Sequence, residues 1–138
     1  MLLDTHVWVW AAADVAGRLG RRTRRQLARA VGAKAPQVST ASIFEIVALH
    51  TAGRLQFAEP VERWVRTSIE RGGFRVIGID ADIAVDAALV PAAALPDPLD
   101  RLLVATARAC RVPLVTRDRA ILDYASASGL VRVLDASQ

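Results

Sequence analysis

The stretch Asp97–Ala120, DPLDRLLVATARACRVPLVTRDRA, decides the fold class. Asp97-Pro98 reads as a helix start, with aspartate accepting backbone N–H groups and proline in the first helical position. Leu99, Leu102, Leu103 and Ala107 then recur at helical spacing, which predicts a helix from Pro98 to about Arg111. VPLVT (112–116) follows as a short apolar strand, and residues 119–127 as a further short helix. A strand set between two helices by links of a few residues is the unit of a parallel α/β sheet.

Working outward, the same alternation covers the chain. LLDTHV (2–7) reads as a short buried strand, and a linker is expected between Ala13 and Gly17. GRRTRRQLARAV is predicted helical with Leu27 and Val31 inward and Gly32 as its stop. A brief strand through Gln37 and Val38 leads into the helix SIFEIVALHTAG. PVERWVRTSIERGG carries an apolar stripe of Val61, Trp64, Val65 and Ile69. FRVIGI (74–79) is a strand, about Ala81 to Val90 a helix, and LVRVL (130–134) a last strand. The expectation is a three-layer α/β/α sandwich with a largely parallel central sheet, one domain over residues 1–138.

Bulk properties narrow the function classes. A hydrophobic content of 53% excludes disorder. The apolar stretch IAVDAALVPAAAL is interrupted by Asp86 and Pro91, so no membrane span is expected, and no cationic leader suggests a signal peptide. A cytoplasmic protein is the simplest reading. The single cysteine, Cys110, leaves no intrachain disulfide. Net charge is +4, and Lys34 is the only lysine among 18 basic residues. Arginines around an acidic pocket favour a polyanionic partner.

Four acids carry the chemistry. Asp4 interrupts a buried strand, Glu45 lies in the helix after the second strand, Asp100 falls in the first turn of its helix, and Asp118 follows VPLVT. In a parallel sheet, positions past the carboxyl ends of strands face one crevice. Each acid also has an ordinary reading. Asp4 and Asp118 can cap helices. Ser42-Ile-Phe-Glu45 matches a capping box, unless Ser39 is the cap and Glu45 lies about two turns in. Asp97 is a cap that can also reach the crevice. Two carboxylates about 5–6 Å apart repel by roughly 3 kcal/mol at an effective dielectric near 20. Four such groups would cost on the order of 10 kcal/mol without relief, comparable with a domain's whole stability. Proton uptake or a cation must relieve a cluster of this kind. An oxygen-only set favours Mg²⁺ or Mn²⁺; His6 and His50 lack zinc-ligand spacing.

Arg18, Arg22, Arg25 and Arg29 share a helix face, which reads as a solvated surface or a phosphate-binding one. Arg101, Arg117 and Arg119 lie nearer the acids and are candidates for holding a phosphate. Trp64 reads as core or dimer contact; Trp8 and Trp10 alternate, so at least one should pack inside.

LLDTHVWVW, Ser39-Thr40-Ala41-Ser42-Ile43-Phe44-Glu45, DPLDRLLVATA and LVTRDRAI together resemble the PIN-domain ribonucleases, most closely the VapC-type toxins. Each piece is weak alone, and four in this order make a specific signal. The resemblance implies a catalytic, metal-binding quartet of Asp4, Glu45, Asp100 and Asp118, with Asp97 and Thr116 as accessory residues. The chain departs from the pattern at Ala94-Leu95-Pro96, where relatives often carry a histidine or arginine. The implied activity is Mg²⁺- or Mn²⁺-dependent cleavage of RNA, in a homodimer inhibited by a cognate VapB-like antitoxin, whose segment is a further candidate for the arginine face. Two other classes compete: a non-catalytic PIN scaffold and a receiver-like binding module. A receiver needs a lysine past a late strand, and Lys34 does not supply one.

Overall fold

A computed structural model describes residues 1–15 and 17–138. The middle of the linker expected between Ala13 and Gly17 lies outside the described residues. Five strands, β1 (Leu2–Leu3), β2 (Gln37–Ser39), β3 (Arg75–Ile77), β4 (Leu114–Thr116) and β5 (Val133–Asp135), pair all in parallel in the order β3-β2-β1-β4-β5. The helices are α1 (Thr5–Ala12), α2 (Arg21–Arg29), α3 (Thr40–Thr51), α4 (Val61–Gly72), α5 (Ala81–Leu89), α6 (Pro98–Ala109) and α7 (Arg119–Ser128). The expected three-layer α/β/α architecture is borne out.

Alternation along the strands splits the core between the two sheet faces. Leu2 and Leu114 point to one face, where Leu103, Val104 and Ala107 of α6 and Ile121, Tyr124 and Ala125 of α7 cover them. Leu3, Val38 and Val115 point to the other, under Val7 and Trp8 of α1, Ile46 of α3 and Val61 of α4. Helix α5 rests on α6 through Ile83, Ala87 and Ala105. The strands are short apolar runs because a parallel sheet covered on both faces has no solvated side to mark with polar residues.

The order of the sheet positions the site. The chain runs outward from β1 through β2 to β3, then returns to the other side of β1 for β4 and β5. The order therefore reverses between β1 and β4, and the crevice beyond their carboxyl ends is where such folds bind ligands. Lys34 precedes β2, at the opposite end of the sheet, which leaves the receiver-like alternative without its lysine.

Several boundaries differ from expectation. The strand expected over 2–7 ends at Leu3, and Thr5–Ala12 is helical, with Trp8 N–H donating to Asp4 O at 2.9 Å. Val7, Val9 and the tryptophans favour strands locally, but turning at Asp4 lets α1 bury Val7 and Trp8 together. Trp10 and Trp8 thus diverge around a helix rather than alternate on a strand. Val31 is 73% exposed, because the helix stops at Arg29 before Val31 can turn inward. Gly32, at φ +59°, opens a 3-10 turn through Lys34. Arg18 precedes α2, so the arginine face begins at Arg21. The last strand shifts to Val133–Asp135, in register with Leu114–Thr116.

Leu114 is fully buried at the heart of one core half. Leu114→Ala is expected to cost about 2–5 kcal/mol in urea unfolding; a loss below about 1 kcal/mol would contradict this packing.

Candidate active site

Four segments deliver acids to one place. Asp4 follows β1 directly. Asp118 follows β4 with Arg117 between, Glu45 sits in the second turn of α3 beyond β2, and Asp100 lies in the first turn of α6. Together with Asp97, His6, Trp10, Leu49, Arg54 and Arg117 they line a cavity of about 410 Å³. All four members of the expected quartet share this cavity, and so does Asp97.

The ordinary and chemical readings of these acids coexist. Asp97 Oδ1 caps α6 by accepting from Leu99 N–H at 2.8 Å, and Asp118 Oδ1 caps α7 by accepting from Ile121 N–H at 3.1 Å. A carboxylate has two oxygens and about four acceptor sites, so capping leaves capacity for the cavity. Ser39, not Ser42, caps α3, accepting from Ala41 N–H at 3.1 Å. Glu45 is therefore free of capping, and the alternative with Ser39 as the cap holds. Asp4 occupies the N-cap position of α1 without a side-chain capping bond.

Hydroxyl groups hold the acids in place. Thr116 Oγ1 donates to Asp4 Oδ2 at 2.6 Å and accepts from Asp118 N–H at 2.9 Å, tying the ends of β1 and β4 together. Thr5 Oγ1 donates to Glu45 Oε2 and lies 2.9 Å from Ser42 Oγ. One hydroxyl has one proton; with that proton on the carboxylate side, Ser42 is left to donate to Thr5. Thr5, Ser42 and Arg54 were not among the candidates read from sequence. Thr5 and Ser42 sit inside the quoted DTH and SxxSxxE segments, whereas Arg54 follows a helix end with no local signal.

The electrostatics are those of crowded anions. Five carboxylates face two guanidiniums, a formal excess of three negative charges. Burial is the largest cause raising the Asp100 pKa to about 7, followed by the charges of Asp97, Asp118, Asp4 and Glu45. Burial also raises Asp4, against the Thr116 hydrogen bond and the charge of His6, which lower it. Among the described residues, no three His, Cys, Asp or Glu side chains are already arranged to hold a metal ion. The acids thus border a common space without closing on a point. Such a set still fits Mg²⁺, which keeps several waters and needs only one or two carboxylates directly.

The three candidate arginines part company. Arg117 lines the cavity, its Nη1 donating to Arg18 O at 3.0 Å and its guanidinium 5.7 Å from the Trp10 ring. Arg119 pairs with exposed Asp123 at 3.0 Å, away from the cavity lining. Arg101 is half-buried outside that lining, with its Nε unpartnered.

This fold and this acidic crevice define a PIN domain: the sequence matches that family over residues 1–127, and the chain belongs to it. It is 33% identical over 126 residues to Ribonuclease VapC22 of Mycobacterium tuberculosis, spanning 90% of this chain and 91% of that relative. Solved structures share the fold, among them the following two. One is a toxin-antitoxin complex from Klebsiella pneumoniae, 23% identical, covering 98% of this chain and 96% of that one, TM-score 0.61. The other is VapBC2 from Rickettsia felis bound to a promoter DNA fragment, 12% identical, covering 96% of each chain, TM-score 0.65.

An acid whose pKa rises on folding takes up protons between its two values. The Asp100 contribution to stability is therefore full below about 3.8 and lost as pH rises through about 7. In EDTA, the melting temperature of the wild type should fall relative to that of Asp100→Asn between about pH 4 and about pH 7. Parallel pH profiles for the two proteins would remove this assignment.

Proposed function

We propose that this chain is a divalent-ion-dependent endoribonuclease, the toxin of a toxin-antitoxin pair. The observation that carries the reading is the convergence of Asp4, Glu45, Asp100 and Asp118, from four separate segments, on one cavity at the β1/β4 switch point. Kinship with Ribonuclease VapC22 supports RNA as the substrate. Mg²⁺ or Mn²⁺ would be held by those four carboxylates, directly or through water, with Asp97 at the rim. When bound, the ion supplies activation of water and offsets charge at the scissile phosphate.

The chain's own residues do the rest. Thr116 fixes Asp4 and the start of α7 against each other, and Thr5 fixes Glu45, so the acids meet a substrate without first being ordered. Arg117 and Arg54, on the cavity wall, orient a phosphate and neutralise part of its charge. Hydrolysis of this kind leaves 5′-phosphate and 3′-hydroxyl ends.

The same reading includes a cytoplasmic location, a homodimer and a cognate VapB-like antitoxin. Among the described residues, no helix is long and apolar enough to cross a membrane. Val85 and Leu89, one turn apart on α5, are 60% and 74% exposed and offer apolar surface to a protein partner.

Incubation of RNA with the wild type should give cleavage that requires Mg²⁺ or Mn²⁺ and stops in EDTA. Asp4→Asn should lower the rate at least roughly 100-fold while remaining folded by circular dichroism. Full cleavage in EDTA, or wild-type rates from Asp4→Asn, would overturn the proposal.

A further inference from the structure

Helix α2 presents an arginine surface that the acidic cavity does not explain. Its nine residues, RRTRRQLAR, contain five arginines and no acid. Arg21, Arg22, Arg25 and Arg29 line a cavity of about 790 Å³ with Gln26, Ser137 and Gln138. All four arginines are exposed. The ion pairs found among the described residues, Arg108–Asp86 and Arg119–Asp123, leave them unneutralised.

This arrangement costs stability. An ordinary solvated helix face mixes charges of both signs. Here Arg21, Arg25 and Arg29 stand four residues apart, where like charges repel. Arg21 and Arg22 also sit in the first turn, at the helix end that disfavours cations. The helix is held despite this by buried Thr23, by Leu27 against the core, and by residues 136–138: Thr23 N–H donates to Gln138 O at 3.0 Å, and Gly20 N–H to Ala136 O at 2.9 Å. Gly20 is required there, because a Cβ would lie 2.0 Å from Gln138 O.

The arginine surface follows Arg18 in the chain, and Arg18 is tied to the acidic cavity. Trp10 and Arg117 line that cavity, and Arg117 donates to the Arg18 carbonyl. The Arg18 and Arg117 guanidiniums lie 5.8 and 5.7 Å from the Trp10 ring centroid. Arg18 leads through Leu19 and Gly20 into α2. Arg117 and Arg18 therefore place positive charge around Trp10 at the cavity, and Arg21 to Arg29 carry further positive charge along α2 for about 12 Å at 1.5 Å per residue.

We propose that the arginine face of α2 is a docking track for the phosphate backbone of single-stranded RNA, holding the strand that flanks the bond cut in the acidic cavity. Its place in a cleavage reaction rests on the nuclease reading above; its affinity for RNA does not. Backbone binding of this kind is insensitive to sequence and sensitive to salt.

The test combines Arg21→Gln, Arg22→Gln, Arg25→Gln and Arg29→Gln in the full chain. RNA binding is measured in EDTA between about 50 and 200 mM salt, with an oligonucleotide short enough for the cavity alone and one long enough to reach α2. For the long RNA, affinity should fall at least 10-fold, and the log–log salt slope should shrink by about 0.7 for each phosphate that the variant no longer neutralises. In Mg²⁺ or Mn²⁺ the effect should fall on KM rather than kcat. Melting should stay at or above the wild-type temperature, since repulsion is relieved; if the fourfold variant fails to fold, Arg25→Gln/Arg29→Gln carries the same measurement. Unchanged affinity and slope for the long RNA would overturn the track, as would retained RNA binding with loss of binding to the antitoxin. Wild-type protein that binds RNA through α2 yet cuts none would sink the nuclease reading and leave the track standing.

Discussion

Five carboxylates around one cavity repel one another, and the surroundings of the site are arranged to bear that repulsion. A carboxylate pair about 5–6 Å apart costs roughly 3 kcal/mol at an effective dielectric near 20, and a wider pair costs less. The molecule spreads the burden. Asp100 takes up a proton near neutrality, Asp4 and Glu45 each receive a threonine hydroxyl, and Asp97 and Asp118 turn one oxygen to a helix N-terminus. Arg54 and Arg117 offset part of the charge from the wall.

The sheet leaves the acids no alternative meeting place. Strand β1 is only two residues long, yet it lies between β2 and β4 and has both side chains fully buried. The chain must turn immediately after Leu3, and Asp4 is the residue at that turn. Thr116 closes the neighbouring strand at the same level, which is why its hydroxyl reaches both Asp4 and the Asp118 amide. Site geometry and strand register are therefore one constraint: slipping β4 by a residue would send Thr116 to the other face of the sheet and separate the acids.

Legibility in the sequence tracked whether local signals agreed. Around Asp97–Ala120, the proline, the cap, the apolar spacing and the strand residues all pointed to one structure, and α6 and β4 lie where they were expected. At the other end, β-branched and aromatic residues in LLDTHVWVW favoured a strand locally, and only burial of Val7 and Trp8 against α3 and α4 makes that segment helical. The capping box at Ser42 was a real local pattern, but Ser39 had the better position, which freed Glu45 for the cavity. Thr5 and Ser42 meet across 37 residues of chain and Arg54 reaches the cavity from a loop, and no local pattern encodes such meetings. The proximity of Arg101 and Arg119 to the acids in sequence did not place them on the cavity wall, because a helix carries successive side chains to different faces.

The two charged surfaces pose opposite problems with one solution. The acidic cavity holds five carboxylates against two guanidiniums, and no acidic side chain lines the cavity beside the α2 arginines. Neither can neutralise the other, since each is fixed to a different helix or strand end of a packed sandwich. On the proposed reading, a phosphodiester strand accompanied by divalent ions would relieve both, with its backbone along the arginines and its ions among the carboxylates. A free nucleotide would reach only one surface, and a simple cation only the other. Under that proposal, a chain of phosphates long enough to reach both surfaces would satisfy the electrostatic pattern, with Trp10 between the Arg18 and Arg117 guanidiniums.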